Sequence, residues 1–132
     1  MDDGSWASEG QKELFIVDDK EGTPTYTHDF AKNVKVLLEK EYWGLYNMVC
    51  GGQTSRFEVA QELLKLTDLS DKVKLTSVTS DYFKEIYFAE RPSNERLENR
   101  KLKIRGLNLM QDWRIALKEY IDTYYKDYID TE

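Results

Sequence analysis

The sequence has few of the residues on which metal sites, disulfides and imidazole catalysis depend. Among its 132 residues are 1 cysteine, Cys50, and 1 histidine, His28. A lone cysteine cannot form an internal disulfide, and these two side chains fall short of the four ligands that a structural zinc ion takes. The scarcity excludes a disulfide scaffold and a zinc site, and it indicates a protein of a reducing compartment.

Long apolar runs and an excess of positive charge are also missing. No stretch of about 18 apolar residues exists, and the first residues, MDDGSW, are acidic where a signal peptide would be basic and then apolar. The formal net charge is -6, and the basic cluster at residues 91–105 is interleaved with Glu95 and Glu98. Because duplex phosphates require a basic face, we expect a cytoplasmic protein with neither a nucleic-acid nor a membrane partner.

The nucleotide-binding and catalytic motifs of common α/β enzymes are absent as well. The sequence has no G-x-G-x-x-G and no G-x-x-x-x-G-K-[ST], and Gly51 and Gly52 lack the third glycine of a dinucleotide loop. None of the 9 tyrosines is followed four residues later by lysine, so the Tyr/Lys acid–base pair of short-chain dehydrogenases is missing. We therefore expect this chain to bind a ligand rather than transform it, and to hold no cofactor on its own.

What the sequence does contain is sufficient for one folded domain. Hydrophobic residues make up 40% of the chain, and its 9 Tyr, 5 Phe and 3 Trp are spread along its length. A compact chain of this size buries about two-thirds of the surface that its unfolded form exposes. Residues 1–12 are polar and are expected to form a flexible lead-in, and residues 13–132 are expected to form the domain.

Hydrophobic patterning predicts an α/β fold. Strands are predicted at residues 14–17, 45–50 and 73–78, and helical patterns alternate with them. This alternation favours about three short, mostly parallel strands and three main helices. So small a parallel sheet leaves edges and faces uncovered, and the chain is therefore expected to be part of a larger α/β protein.

The first two helices have recognisable starts. The first is predicted from Thr27, which can cap it, with Phe30 and Leu38 on its apolar face. The second opens at Ser55, which is followed three residues later by Glu58 in the pattern of a capping box.

The last part of the chain is predicted to be irregular and then helical. Residues 93–106 are polar and are expected to be irregular. After them, aromatic and apolar residues recur every three or four positions from Trp113 to Tyr128, which predicts a long amphipathic helix. We interpret this stripe as core packing rather than as a surface for stacking bases.

Several polar features remain as candidates for chemistry. His28 is either a helix-start residue or a ligand contact. Asp18 and Asp19 either end the first strand or form an acid–base pair. Residues 51–56 are either a plain connector or an anion site at a helix N-terminus. Arg91, on the rigid segment before Pro92, is either a surface charge or a grip on phosphate or carboxylate.

Four sequence blocks, taken together and in order, resemble the C-terminal half of dTDP-4-dehydrorhamnose reductases. They are FIVDDKEGTPTY at residues 15–26, GLYNMVCGGQTSRFEVA at 44–60, RPSNERLEN at 91–99 and DWRIALKEY at 112–120. The family belongs to the extended short-chain dehydrogenase/reductases. In that family the N-terminal Rossmann part binds NAD(P)H and supplies the Tyr/Lys pair, and the C-terminal part binds the nucleotide sugar.

The resemblance implies a set of substrate-binding residues in this chain. Arg91 matches the arginine that reaches the nucleotide diphosphate, and Asn94 lies in the same block. Three positions match the loop that shapes the cleft: Gly22, Pro24 and Thr25. The helix start at residues 51–56 adds Thr54, Ser55 and Arg56 to the candidate list.

Three positions depart from the family pattern. Lys20 stands where the family usually has Gln, Glu95 where Ser is common, and Arg56 where Trp is frequent. Glu95 places a carboxylate near the expected diphosphate site, which weakens the case for a dTDP-linked sugar.

The resemblance predicts the nucleotide-sugar-binding part of an enzyme whose Rossmann domain is absent from this chain. The parent would reduce a dTDP-4-keto-6-deoxysugar with NAD(P)H, and the part alone would be inactive. Two alternatives stay open: a non-catalytic regulatory subunit of the same fold, and another nucleotide-sugar epimerase or dehydratase. Whether the whole enzyme is a homodimer is also left open.

Overall fold

The computed structural model describes residues 13–86 and 89–125. Strands β1 (Glu13–Val17), β2 (Glu21–Gly22), β3 (Thr54–Ser55) and β4 (Lys74–Val78) alternate with helices α1 (Thr27–Lys40), α2 (Arg56–Leu66), α3 (Arg100–Ile104) and α4 (Trp113–Tyr124). A short 3₁₀ helix (Ser80–Phe83) follows β4. The predicted α/β class is confirmed, and the expected lead-in at residues 1–12 lies outside the described residues.

The larger of the two strand pairs is parallel. β1 pairs with β4 in a register that sets Leu14 beside Leu75, and α2 packs against both strands. Leu14, Leu64 and Val73 are buried at this junction. A parallel pair needs a crossover connection, and the long chain between β1 and β4 supplies it with two helices. The predicted strands at both ends of this connection are confirmed.

The predicted strand at residues 45–50 does not form a strand among the described residues. A strand is defined by backbone bonds to a neighbour, and here the backbone of Val49 is bonded by a side chain instead. Val49 N donates to Asn99 Oδ1 at 2.9 Å, and Asn99 Nδ2 donates to Val49 O at 2.7 Å. The segment has the apolar pattern of a strand, but it has no strand partner among the described residues.

Helix α1 begins where predicted but is capped and oriented differently. Its N-cap is Tyr26 and makes no side-chain cap bond, so the capping role expected for Thr27 is wrong. Its fully buried side chains are polar, Asp29 and Asn33, whereas Phe30 and Leu38 on the apolar face are exposed. Polar contacts with residues 107–111 determine which face of α1 is buried. The periodicity of apolar residues does not predict such contacts.

The segment expected to be irregular, residues 93–106, contains helix α3. Leu102 in this helix is fully buried, and Asn99 immediately before it is buried as well. The buried Leu102 stabilises α3, a helix of a single turn, although most of the other side chains of α3 are charged. Packing therefore overrides the polar composition on which the sequence prediction rested.

A second core forms between α4 and the segment before β3. Cys50, Met110, Trp113 and Ala116 are buried together there. The backbone joins the same pieces: Gly51 N donates to Gln111 O at 2.8 Å and Trp113 N donates to Gly51 O at 3.1 Å. This core fixes the glycine turn that leads into α2.

Candidate functional site

Three loops meet at the edge of the small β2–β3 pair. We call residues 20–25, 51–56 and 91–96 the three-loop cluster. β2 and β3 pair antiparallel, with Glu21 opposite Ser55. Glu21 N also donates to Ser93 O and Glu95 N donates to Glu21 O, each at 2.8 Å. Backbone bonds therefore bring together segments that are far apart in sequence.

Side chains add two further ties to the three-loop cluster. Thr23 Oγ1 donates to Gly52 O at 2.7 Å, which joins the first loop to the glycine turn. Lys20 Nζ donates to Arg91 O at 2.8 Å, which holds the backbone of the third loop. Lys20, one of the departures from the family pattern, thus has a defined structural contact.

The cluster contains every substrate-binding residue predicted from the sequence. Gly22 pairs with Thr54 in the β2–β3 ladder, and Asn94 forms a bridge with Glu21. The other predicted residues follow in the same loops: Pro24, Thr25, Ser55, Arg56 and Arg91. Their roles toward a ligand stay predictions.

Arg91 and Asn94 present polar hydrogen-bond donors to solvent. Both residues are exposed. Asn94 Oδ1 accepts hydrogen bonds from Arg96, whereas the amide nitrogen of Asn94 and the guanidinium of Arg91 have no hydrogen-bonding or ionic partner within residues 13–86 and 89–125. Such donors suit an anionic ligand.

The start of α2 carries its own acceptors. Ser55 is the N-cap, and its Oγ accepts from Glu58 N at 3.3 Å, so the predicted cap is confirmed. The hydroxyl of the buried Thr54 donates to Glu58 Oε2 at 2.8 Å. Ser55 Oγ thus satisfies one backbone N–H of the helix start, and Arg56 is the exposed cation beside it.

Arg96 is the residue that the sequence reasoning missed. Its Nε lies 3.0 Å from Asn94 Oδ1 and 3.3 Å from Glu21 Oε2, and its Nη1 donates to Gln53 Oε1. One guanidinium thus contacts all three loops. The only sequence signal was the Asn-x-Arg spacing, because Asn94 accepts from the backbone N–H two residues later, in an Asx turn.

The Asp18–Asp19 pair lies at the end of β1. Its contacts fit the interpretation that these residues end the strand rather than form an acid–base pair. Asp18 accepts a hydrogen bond from the hydroxyl of Ser77, and Asp19 accepts from Ser80 N at 3.0 Å and from Ser80 Oγ at 2.9 Å. The hydrogen bond from the backbone N–H of Ser80 is the main cause that lowers the pKa of Asp19 below its ordinary value. A carboxylate held ionised in this way caps the 3₁₀ helix and is poorly suited to act as a general acid.

The other chemically reactive candidates are structural or exposed. Burial raises the pKa of the Cys50 thiol, which favours its unreactive protonated form. His28 is exposed, with its ring centroid 5.7 Å from that of Tyr26. Trp113 is buried in the second core, which confirms the packing interpretation for the first turn of the stripe. Tyr124 is 61% exposed, so the interpretation is wrong at that position, and Tyr128 lies outside the described residues. Within the described ranges, no group of three His, Cys, Asp or Glu side chains could hold a metal ion.

The glycine turn does not fit a dinucleotide phosphate. Gly52 has φ +86, and a Cβ placed there would lie 2.9 Å from Asp112 Oδ2 and 2.9 Å from Trp113 Cδ1. The close approach that glycine permits is thus used by protein atoms rather than left for a ligand. The space above Gly52 is therefore occupied by Asp112 and Trp113.

The fold defines this chain as a small α/β domain. It belongs to the RmlD substrate binding domain family, whose model matches residues 6–126. The resemblance expected from the four sequence blocks is confirmed.

Two curated bacterial proteins are similar to this chain. It is 31% identical over 114 residues to the spore coat polysaccharide biosynthesis protein SpsK of Bacillus subtilis, covering 86% of the chain and 38% of that protein. It is 30% identical over 105 residues to a probable dTDP-4,6-dihydroxy-2-methyloxan-3-one 4-ketoreductase of Streptomyces antibioticus, covering 79% and 35%. The chain thus spans little more than a third of the length of these relatives.

Solved structures of dTDP-4-dehydrorhamnose reductases share the fold. The enzyme from Clostridium acetobutylicum superposes with a TM-score of 0.81 at 33% identity, covering 87% of this chain and 40% of that one. The enzyme from Bacillus anthracis, in complex with NADP, superposes with a TM-score of 0.82 at 24% identity, covering 89% and 40%.

No helix within residues 13–86 and 89–125 has the length and apolar character required to cross a membrane.

Proposed function

We propose that this chain is the nucleotide-sugar-binding part of a longer, cytoplasmic, NAD(P)H-dependent reductase. The whole enzyme would reduce the 4-keto group of a dTDP-4-keto-6-deoxysugar in dTDP-rhamnose biosynthesis. Family membership supports the reaction class. The observation that carries the assignment to this chain is the three-loop cluster, which presents the donors of Arg91 and Asn94 on a segment tied to two other loops.

The chemistry of the cluster suits a nucleotide diphosphate. A diphosphate offers several anionic acceptor oxygens, and a guanidinium can donate to two of them at once. Arg91 supplies that guanidinium, and the Asn94 amide supplies a neutral donor three residues later. Glu95 follows directly and is exposed, so repulsion from its carboxylate would limit how closely the phosphates approach that side of the loop.

The remaining part of the enzyme would bind NAD(P)H and supply the acid–base pair. This chain lacks the Tyr/Lys spacing, and its glycine turn is filled by Trp113. The isolated chain is therefore expected to be inactive as a reductase.

A surface around residues 42–47 suits contact with that remaining part. Trp43 is 68% exposed, Leu45 87% and Ile104 75%. Leu45 and Ile104 line one open groove of about 330 Å³. The segment at 45–50 has no strand partner in the described residues, and addition to the edge of a sheet in the remaining part would supply one.

A titration with dTDP tests the proposal. Both the 132-residue chain and the full-length protein that contains it are labelled with ¹⁵N and titrated to millimolar dTDP. We expect the amide signals of residues 51–56 and 91–96 to shift, and thymidine, which lacks the diphosphate, to shift them much less. The Arg91→Gln variant should weaken binding about tenfold through loss of a charge-assisted contact, whereas the Lys72→Gln control, outside the three-loop cluster, should not.

Absence of any shift in the full-length protein at millimolar dTDP would contradict the assignment of this nucleotide. Shifts of equal size with thymidine would contradict the diphosphate contact. In the full-length protein, oxidation of NADPH on addition of the 4-keto sugar nucleotide tests the reductase activity separately.

A further inference from the structure

We propose that Arg96 is a positioning residue that orients the Asn94 side chain for ligand binding. The inference rests on the proposed function, because it assigns Asn94 a donor role toward an anionic ligand. It goes beyond the family pattern, in which the blocks point to Arg91 and Asn94 and give Arg96 no role.

The geometry fixes which end of the Asn94 amide faces away from the loop. Asn94 Oδ1 accepts from Arg96 N and from Arg96 Nε, each at 3.0 Å. An amide carries its oxygen and its NH₂ group on opposite sides, so two donors on the oxygen direct the NH₂ group away from Arg96. Asn94 thereby presents donors, which an anion requires, rather than an acceptor.

Arg96 is itself held by the other two loops. Its Nε lies 3.3 Å from Glu21 Oε2 in the first loop, and its Nη1 donates to Gln53 Oε1 in the second. These acceptors engage the Nε and Nη1 groups, and the carboxylate of Glu21 offsets the positive charge. Arg96 is therefore better placed to hold the loop than to grip the ligand. A lysine could not replace it, because an ammonium lacks the planar fork that reaches three acceptors.

A double-mutant cycle on dTDP affinity measures this role. The variants are Asn94→Ala, Arg96→Gln and their combination, with Lys72→Gln, an exposed cation in the turn before β4, as the control. We expect each single change to weaken dTDP binding about fivefold to tenfold, and the double change to weaken it no further than either alone. Arg96→Lys should not restore affinity. Additive losses, or wild-type affinity in Arg96→Gln, would overturn the proposal.

The side-chain amide of Asn94 gives a second readout that does not depend on the ligand. Its two NH₂ signals are assigned by their loss in Asn94→Ala. We expect Arg96→Gln, and not Lys72→Gln, to shift them and to speed their exchange with water, while the amide signals of β1 and β4 stay in place. If these signals are unchanged in Arg96→Gln, the positioning role is wrong. If wild-type protein does not bind dTDP, the proposed function fails, and the amide signals still decide whether Arg96 orients Asn94.

Discussion

Asn33 shows how one buried polar residue can hold two segments together. It is fully buried in α1, donates from Nδ2 to Leu107 O at 2.8 Å and accepts at Oδ1 from Leu109 N at 2.8 Å. The side chain thus satisfies one backbone acceptor and one backbone donor in the segment before α4. Buried backbone groups that lose such partners are costly to leave unpaired.

We predict that Asn33→Ala lowers the free energy of unfolding by about 2–4 kcal/mol, because two backbone groups would lose their partners inside the protein. Urea unfolding followed by tryptophan fluorescence measures the change. Asn47→Ala is the matched control, since Asn47 is exposed and its bond to Glu98 O is long, at 3.4 Å. The control should stay within about 0.5 kcal/mol of wild type, and an equal loss in both variants would contradict the role assigned to Asn33.

Gly52 is constrained by its backbone and by its neighbours together. Its φ is +86, and a Cβ would come within 2.9 Å of Trp113 Cδ1, in a side chain that is buried and cannot move aside cheaply. Gly106 also has a positive φ, +67, but no atom lies within 4 Å of its Cβ position. Alanine substitutions at Gly52 and Gly106 therefore separate the cost of a left-handed backbone from the cost of a steric clash with Trp113.

We predict that Gly106→Ala destabilises the protein by about 1 kcal/mol, the cost of a left-handed conformation for alanine. Gly52→Ala should destabilise it by about 2–4 kcal/mol, because overpacking adds to that cost. Thermal and urea unfolding of the two variants provide the comparison. Equal losses would show that the contact with Trp113 does not constrain the turn.

At the scale of elements, the 3₁₀ helix after β4 depends on a carboxylate from the end of β1. Asp19 accepts a hydrogen bond from the backbone N–H of Ser80, and this bond lowers the pKa of Asp19 below its ordinary value. A group whose pKa is lower in the folded state stabilises that state above its unfolded pKa, and this stabilisation disappears as the pH falls through the folded pKa. The contact between Asp19 and Ser80, which joins the segments after β1 and β4, is therefore weakened at low pH.

We predict that Asp19→Asn reduces the loss of stability between about pH 5 and pH 2 relative to wild type, because one ionisation linked to folding is removed. Urea midpoints across this range test the expectation. Asp71→Asn, an exposed aspartate in the turn before β4, is the control and should retain the wild-type dependence. An unchanged pH dependence in Asp19→Asn would show that the Ser80 contact does not contribute.

The element that differs most from its sequence prediction is the segment at residues 45–50. Its apolar pattern is that of a buried strand, yet the described structure gives it a side-chain partner, Asn99, in place of a neighbouring strand. Strand formation depends on a second backbone segment that the pattern itself does not specify. The pattern is consistent with pairing in a longer protein, as proposed above.

At the scale of the whole molecule, large apolar side chains remain on the surface around residues 42–47 and α3. Leu45 and Ile104 line an open groove whose rim carries the charges of Arg100, Lys101 and Arg105. Contiguous exposed apolar surface commonly marks an interface. In this family member the proposed occupant is the remaining part of the enzyme.

We predict that Leu45→Asp reduces self-association of the isolated chain, because it removes exposed apolar surface, and destabilises the full-length protein, because a charge would then be buried at the interface. Light scattering after gel filtration and thermal unfolding measure the two effects. Ile86→Asp, an exposed isoleucine after β4, is the control. If Leu45→Asp leaves the stability of the full-length protein unchanged, this surface does not contact the remaining part.

The sequence by itself determined the features encoded by nearby residues. The apolar runs of β1 and β4, the Ser55 cap of α2 and the stripe that starts at Trp113 follow from propensity, capping chemistry and periodicity within a few residues. The four blocks likewise identified the family.

Only the tertiary structure decided which polar groups meet. The bonds of the buried Asn33 to residues 107 and 109, and the contacts of Arg96 with Glu21 and Gln53, depend on partners that are distant in sequence. A hydrogen bond is decided by distances and angles between specific atoms, and local patterns do not contain them. For this reason the sequence could name the loops of the candidate site but not the arginine that ties them together.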